Sequence, residues 1–292
     1  MYNKIYMAYN KIYMAIGLLL LCSLIQGQCL AKQGQTYPER IISLSPIITE
    51  NIYLLGADSK LIANTFYCVL PEAAQKKEKI GTLIDVNLEK IIHLKPDLIL
   101  ATELAKAKQI KLLKKMGIRI VQYPKATTYD DMCTQFLDLA DLIGKRMEAE
   151  RIITSAKKYV LDIYHRVSFL PKKRIFFQIG TKPLHTVNNQ SFMNDYILFS
   201  GGINIASNES SGIYSRENVI KNNPEIIFIA SMGIASDKEK DVWMSFPTLD
   251  AAIHNRIYII DSVSTCSVTP VSFVNALKKI AQYVHPEAFQ SN

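Results

Sequence analysis

The pattern of apolar and polar residues is most regular in one stretch near the middle of the chain. From Met147 to Ser168 there is no Gly or Pro, and apolar residues recur in steps of three and four, at Ile152, Ile153, Ala156, Val160, Ile163, Tyr164 and Val167. This spacing predicts an amphipathic α-helix. At 1.5 Å per residue, about 22 residues span roughly 33 Å, the width of a small domain. We interpret the helix as a rigid link between two lobes; the alternative is a surface helix of one larger α/β domain.

Strand and helix patterns alternate on both sides of this helix. Before it, the pattern predicts strands at 40–45, 61–64, 98–101 and 119–123, and helices at 50–55, 88–94, 106–116 and 128–143. After it, the pattern predicts strands at 174–178, 226–230 and 256–260, and helices at 192–200, 216–222 and 270–283. Such alternation is typical of parallel sheets covered by helices, which makes the fold class α/β. The predicted division is an N-terminal lobe at 38–145, a linking helix at 146–168 and a C-terminal lobe at 172–288.

A short internal repeat supports two related lobes. The segments NLEKIIHLKPDLIL (87–100) and SRENVIKNNPEIIF (215–228) share a helix pattern, a Pro, an acidic residue and an apolar strand. Aligning Pro96 with Pro224 also pairs Glu89 with Glu217. Because helix–Pro–strand is a common order in α/β proteins, the likeness alone does not prove a duplication.

The first residues have the pattern of an export signal. The segment YNKIYMA occurs twice in tandem at 2–15, with Lys4 and Lys11, and IGLLLLCSLI follows at 16–25. Ten apolar residues are too few to span a bilayer and suit the core of a signal peptide. We predict a signal peptide at 1–31, cleaved after Ala31 or Gly27, and hence a periplasmic protein. A lipid anchor at Cys29 is the disfavoured alternative, because Gln28 is a poor residue to precede it.

Charge and cysteine content exclude several classes of protein. Residues 1–31 hold two Lys and no acids, so the exported chain would keep 32 basic and 26 acidic residues, a net charge of +6. These charges are scattered, which argues against a nucleic-acid interface. Cys68, Cys133 and Cys266 would remain, too few for a disulfide framework and without zinc-ligand spacing. We expect them to be buried as small apolar residues, and we expect no metal site or cofactor.

Several segments together resemble one known family, the periplasmic substrate-binding proteins of ABC importers for ferric siderophores, haem and cobalamin. They cover most of residues 38–288 in family order: RIISLSPIITENIYLLGA (40–57), YCVLPEA (67–73), NLEKIIHLKPDLILA (87–101), RIFFQIGTKPLHT (174–186), GGINIA (201–206), YSRENV (214–219) and His285–Pro286. The resemblance implies two Rossmann-like lobes joined by one long helix, with a ligand in a shallow cleft between them. It also implies a monomer with an inner-membrane permease as partner, and no enzymatic activity.

The resemblance further implies an acidic docking residue for the permease on each lobe. Glu217 in YSRENV matches the position on the C-terminal lobe, although it would also suit a helix N-terminus without any partner. On the N-terminal lobe we expect the acid on the helix after LILA, where the aligned residue is Ala107. Glu103, one helical turn earlier, is the substitute we predict.

Ligand contacts are expected in the loops that follow the strands, at 45–48, 65–70, 102–104, 180–185, 231–233 and 261–267. Haem-binding relatives place a Tyr where this chain has Leu70, with Tyr67 nearby. Cobalamin-binding relatives use aromatic residues where this chain has Thr102 and His185. Siderophore binders often use Arg, and 261–270 contains none. The predicted ligand-binding residues are Tyr67, Thr102, His185, Tyr214 and Ser267.

We therefore predict a binding protein that captures a metal chelate, with a ferric siderophore or a corrinoid favoured over haem. The rival prediction is a secreted α/β enzyme. The chain lacks GxSxG, Walker, GxGxxG and HExxH motifs, and Asp85, His93 and Asp97 are its best acid–base candidates. A surface adhesion protein is a third class, which no repeat beyond residue 15 favours.

Overall fold

Two separate parallel sheets form the centre of the molecule. The computed structural model describes residues 36–230 and 235–290. The first sheet has the order β3-β2-β1-β4-β5, with strands β1 Ile41–Ser43, β2 Leu61–Asn64, β3 Glu78–Lys79, β4 Leu98–Thr102 and β5 Ile120–Tyr123. The second has the order β7-β6-β8-β9, with strands β6 Lys173–Gln178, β7 Gly202–Asn204, β8 Ile226–Ile229 and β9 Ile257–Ile259. Every strand pair in both sheets is parallel, which confirms the α/β class.

Helices cover these sheets and connect them. In the first half they are α1 Pro46–Leu54, α2 Glu72–Gln75, α3 Leu88–Leu94, α4 Ala107–Lys115 and α5 Tyr129–Ile143. The linking helix is α6, Arg146–Val167. In the second half they are α7 Met193–Phe199, α8 Arg216–Asn222, α9 Ala235–Met244, α10 Asp250–Ile253, α11 Val263–Cys266 and α12 Pro270–Val284. Within the described residues, none of them has the length and apolar character needed to cross a membrane.

The buried face of α6 follows most of the predicted pattern, although Ile152 is half-buried and Tyr164 is exposed. Its buried residues are Ala149, Ile153, Ala156, Val160, Ile163 and Val167, in steps of four and three. This face packs on α5 and α12. A helix with one continuous buried face is held along its whole length, so bending it would disrupt both packing and backbone hydrogen bonds.

The first helix begins four residues earlier than the sequence pattern predicts. Pro46 is the first residue of α1 and Ser45 is its N-cap, whereas the sequence pattern predicts a helix only over 50–55. Proline suits the first helical position because its φ is already helical and the N–H it lacks would have no helical partner there. Thr49 lies inside the helix, where its hydroxyl donates to Ser43 Oγ.

One apolar core extends through both halves of the molecule. Tyr129 of α5 stacks on Phe273 of α12 with ring centroids 4.4 Å apart, and Phe273 stacks at the same distance on Tyr196 of α7. The Tyr129 N–H also donates to Asp195 Oδ2 at 2.7 Å. The two lobes are therefore joined by packed side chains as well as by α6.

The structure gives the internal repeat a shared geometry. Helices α3 and α8 both have seven residues and both end in a left-handed residue, Lys95 at φ 46° and Asn223 at φ 42°. After them, the Asp97 carboxylate accepts the N–H of Arg40, and the Glu225 carboxylate accepts the N–H of Arg174, both at 3.0 Å. The Nε groups of the same arginines donate to the carbonyls of Lys95 and Asn223, at 3.1 and 3.2 Å. Matching side-chain contacts of this kind go beyond a shared order of helix, Pro and strand.

Candidate functional site

A cleft lies between the two lobes and contains two adjoining cavities. The first, of about 610 Å³, is lined mainly by the loops that follow β1, β4 and β5 and by α5. The second, of about 540 Å³, is lined by α1, the loop after β2, the start of α7 and the region of α11. Both cavities share Pro46, Lys125, Phe192, Cys266 and Ser267. Because parallel strands end at one edge of a sheet, their following loops gather at the same place, which is where α/β folds bind ligands.

Three of the predicted ligand-binding residues line this cleft. Tyr67 lies on the second cavity, Thr102 on the first, and Ser267 on both. The Tyr67 side chain is 60 % exposed, whereas the Thr102 hydroxyl oxygen is buried and has no hydrogen-bond partner. Glu103 also lines the first cavity, and its carboxylate accepts the N–H of Lys125 at 3.1 Å.

The other two predicted contacts lie elsewhere. Tyr214 packs against Phe176 in the outer core of the C-terminal lobe, and its hydroxyl donates to the carbonyl of Ile205. His185 is exposed, pairs with Ile213 in an isolated β-bridge, and lines neither cavity. The predicted loop at 231–233 and the predicted signal peptide fall outside the described residues.

Polar contacts with neighbouring elements hold the loop that carries Tyr67 in place. Cys68 is buried, and its Sγ lies 3.2 Å from Thr49 Oγ1. Lys79 Nζ donates to Asn64 Oδ1 at 2.6 Å and to the Ala74 carbonyl at 3.1 Å. Desolvation lowers the pKa of this lysine. Tyr67 is therefore an exposed aromatic residue at the rim of the cleft, on a loop that these contacts hold in place.

Glu50 and Lys125 bring charge to a wall that is otherwise mostly apolar. Glu50 projects from α1 onto the second cavity, where burial raises the pKa of its carboxyl to about 7. Lys125, in the loop after β5, lines both cavities. Neither residue is among the ligand contacts predicted from the sequence. Lys125 lies just beyond the carboxyl end of β5, as Ser45 lies just beyond that of β1, so its position after an apolar strand is a signal that the sequence does contain.

Cys266 corrects the prediction that all three cysteines are buried. Cys68 and Cys133 are buried, but Cys266 is half-buried at the end of α11 and lines both cavities. Desolvation raises the pKa of its thiol to about 11, so it is uncharged near neutral pH. It contributes a small, weakly polar surface to the cleft.

The acid–base residues of the rival enzyme prediction are not assembled into one site. Asp97 binds the backbone of Arg40, Asp85 lies 3.7 Å from Lys106 Nζ, and His93 is exposed on α3. Across residues 36–230 and 235–290 there is also no cluster of His, Cys, Asp and Glu that would hold a metal ion.

Two exposed acids occupy equivalent positions in the internal repeat. Glu89 and Glu217 are each the second residue of a seven-residue helix, α3 and α8. Helices between parallel strands run against the strand direction, so both begin at the edge of the sheet that faces the cleft. A hydrogen bond from its own N–H and one from the Ser215 side chain lower the pKa of Glu217, which is therefore ionised at neutral pH.

Comparison with known proteins places this architecture in one family. The chain is 34% identical over 222 residues to a vitamin B12-binding protein of Pectobacterium atrosepticum, covering 73% of this chain and 78% of the relative. It is 27% identical over 263 residues to an uncharacterised ABC transporter substrate-binding lipoprotein of Bacillus subtilis, covering 87% and 82%.

Solved structures show the same fold. The periplasmic vitamin B12-binding protein of Vibrio cholerae superimposes with a TM-score of 0.73 at 24% identity, over 87% of this chain and 99% of that one. A possible iron-binding periplasmic solute-binding protein of Staphylococcus epidermidis gives 0.77 at 25% identity, over 86% and 100%. A model of the periplasmic binding protein family matches residues 41–263, well over half of the sequence. The chain belongs to the periplasmic binding protein family.

Proposed function

We propose that this protein is the extracytoplasmic solute-binding component of an ABC importer, which captures a metal chelate in the interlobe cleft and delivers it to the permease. The observation that carries the proposal is the cleft itself, with cavities of about 610 and 540 Å³ that share one wall. Ligand sites are concave and mostly apolar, with a few well-placed polar groups. Here those groups are Glu50, Glu103 and Lys125.

A corrinoid is the chelate that the observations favour most. Several relatives that match at 31 to 34% identity are vitamin B12-binding proteins. A corrinoid is a large flat macrocycle with apolar faces and amide groups around its rim, which suits two adjoining apolar cavities. Ferric siderophores are the next candidates. Haem comes third, because its anionic propionates would meet two carboxylates, Glu50 and Glu103, and only one lysine, Lys125, among the described residues of the cleft wall.

Delivery requires a surface that the permease recognises, and we propose Glu89 and Glu217 as its acidic contacts. The two acids lie at matching positions of the repeat, so they would present equivalent charges on the two lobes. Glu89 replaces Glu103 in our assignment of the N-terminal contact. Glu103 precedes α4 rather than lying on it, and its carboxylate is bonded to the cleft wall. Exposed charge pairs contribute little affinity but orient the encounter.

We also propose that the protein acts as a monomer and is exported by a signal peptide within residues 1–31. One compact unit, beginning at Pro38, contains both lobes and the whole cleft, so a second copy is not needed to complete the site. The apolar run at 16–25 and the two preceding lysines support export.

Isothermal titration with cyanocobalamin, ferric siderophores and haem tests the proposed function. We expect one chelate to bind with 1:1 stoichiometry and to be recovered chemically intact, as mass spectrometry of the released ligand would show. Turnover of the ligand would instead support the rival enzyme. Failure of every chelate to bind would contradict the proposed function.

A further inference from the structure

Two adjacent residues of α1 line the cleft and carry hydrogen-bond acceptors that have no partners of their own. Glu50 lines the second cavity, and within residues 36–230 and 235–290 no hydrogen bond or ion pair involves its carboxyl group. Asn51 lines the first cavity; it is only 6 % exposed, and its Oδ1 atom is buried without a hydrogen-bond partner. Buried polar groups are nearly always bonded, so acceptors left open at a cavity indicate that something else supplies the donor.

Among the described residues, the surroundings of Glu50 supply no hydrogen-bond or ion-pair partner for its carboxyl group. Its neighbours on the second cavity are largely apolar, and include Val69, Leu70, Ile179, Phe192 and Val263. An acidic residue that serves only packing would be replaced without loss by an apolar one, because desolvating a carboxylate is unfavourable. A cavity carboxyl with a perturbed pKa is instead typical of a functional position.

We propose that Glu50 and Asn51 form an acceptor patch that recognises amide N–H groups on the rim of the bound chelate. The inference rests on the proposed function and specifies its ligand class. The patch favours a chelate whose periphery carries amides, and it disfavours one whose periphery carries only carboxylates. A carboxylate on the ligand has no N–H group to donate to Glu50 and Asn51, and ionised Glu50 would repel it.

Ionisation of Glu50 gives the patch a pH dependence. Its carboxyl has a pKa of about 7 in the free protein, and the ionised form is the stronger acceptor for N–H donors. Binding of an amide-rimmed chelate therefore favours the ionised form, so affinity rises from pH 6 to pH 8. The other titratable groups around this cavity are Tyr67, Lys125 and Cys266, with Glu103 and Tyr123 on the adjoining one.

Titration of three proteins with two probes tests the inference. The proteins are the wild type, Glu50→Gln and the control Glu72→Gln, which changes an exposed carboxyl on α2. The probes are cyanocobalamin, which has an amide rim, and haem, which has a propionate edge. We expect Glu50→Gln to bind cyanocobalamin about tenfold more weakly at pH 8 and to lose the rise in affinity between pH 6 and 8. The control should behave as the wild type, and haem should bind more weakly than cyanocobalamin to the wild type.

Two results would overturn the inference while leaving the proposed function intact. One is a Glu50→Gln variant with the affinity and pH profile of the wild type; the other is tighter binding of haem than of cyanocobalamin. If the wild type binds no chelate at all, the proposed function fails and the acceptor patch fails with it. Thermal unfolding of both variants checks that they remain folded.

Discussion

Cys266 shows how the position of one side chain in the fold decides its chemistry. It lines both cavities at the end of α11, whereas Cys68 and Cys133 are buried in the N-terminal half. From the sequence all three are alike, because none has a partner at metal-ligand or disulfide spacing. Only the path of α11 beside the cleft distinguishes Cys266 from the others.

The rate at which the Cys266 thiol is alkylated should therefore show whether the cleft is occupied. We expect iodoacetamide to label Cys266 before Cys68 or Cys133, slowly at pH 7.5 and faster at higher pH. The reactive species is the thiolate, which increases about tenfold per pH unit below a pKa of about 11. Bound chelate should suppress the labelling, as peptide mass mapping would detect. Equal labelling of all three cysteines, or no protection by a ligand that binds, would contradict this placement.

Other site residues were predictable to different degrees. Tyr67, Thr102 and Ser267 line the cleft because each lies at or after the end of a predicted strand, and such loops converge at one edge of a parallel sheet; their role as ligand contacts stays a prediction. The sequence also predicts Tyr214 as an aromatic ligand contact, but its ring packs on Phe176 and its hydroxyl has backbone and side-chain partners. Glu50 was missed because it lies inside a helix, where sequence does not reveal which face meets the cavity.

At the scale of helices and strands, most of the longer segments were predictable, whereas several of the shortest were not. Helix α3 was predicted with its observed bounds, since Asn87 caps it and Pro96 follows it. Strands β3 and β7 and helices α2, α10 and α11 have two to four residues each, too few to show a period. Their formation depends on tertiary contacts that no local pattern records.

Helix α8 is also held by a buried polar network that sequence did not indicate. Arg216 Nη2 pairs with Glu239 of α9 at 2.6 Å, and its guanidinium lies 4.7 Å from the ring centroid of Trp243. The Gln178 side chain bonds both Glu239 and the Trp243 indole N–H. This network includes Trp243, which is fully buried, and it fixes the helix that carries Glu217.

The two repeat helices lead to a prediction about delivery. We expect Glu89→Ala and Glu217→Ala each to lower cellular uptake of the chelate by about threefold, and the double variant by about tenfold, because each removes one exposed charge contact. Ligand affinity should not change, since neither residue lines the cleft, and the midpoint of thermal unfolding should change little, since both side chains are exposed. Glu72→Ala, on the exposed helix α2, serves as the control. Undiminished uptake by the double variant would rule out these acids as docking contacts.

On the scale of the whole molecule, the lobes are linked more extensively than one helix would achieve. The stack of Tyr129, Phe273 and Tyr196 joins α5, α12 and α7, and the same core includes the buried face of α6. Sequence predicted the link through α6 but not the stack, because aromatic residues far apart in the chain give no local signal of contact. A core shared by both lobes keeps the cleft at a nearly fixed width and restrains large closure.

The most direct test of a chelate held between the lobes is titration of a variant in which the cleft is filled. Ser267→Trp places a bulky ring where both cavities share a wall, and Val242→Trp, on the exposed side of α9, is the matched control. The account predicts 1:1 chelate binding by the wild type and the control, at least a hundredfold weaker binding by Ser267→Trp, and similar thermal unfolding midpoints for all three. Full affinity in the Ser267→Trp variant would contradict it, because the ligand would then bind somewhere other than the cleft.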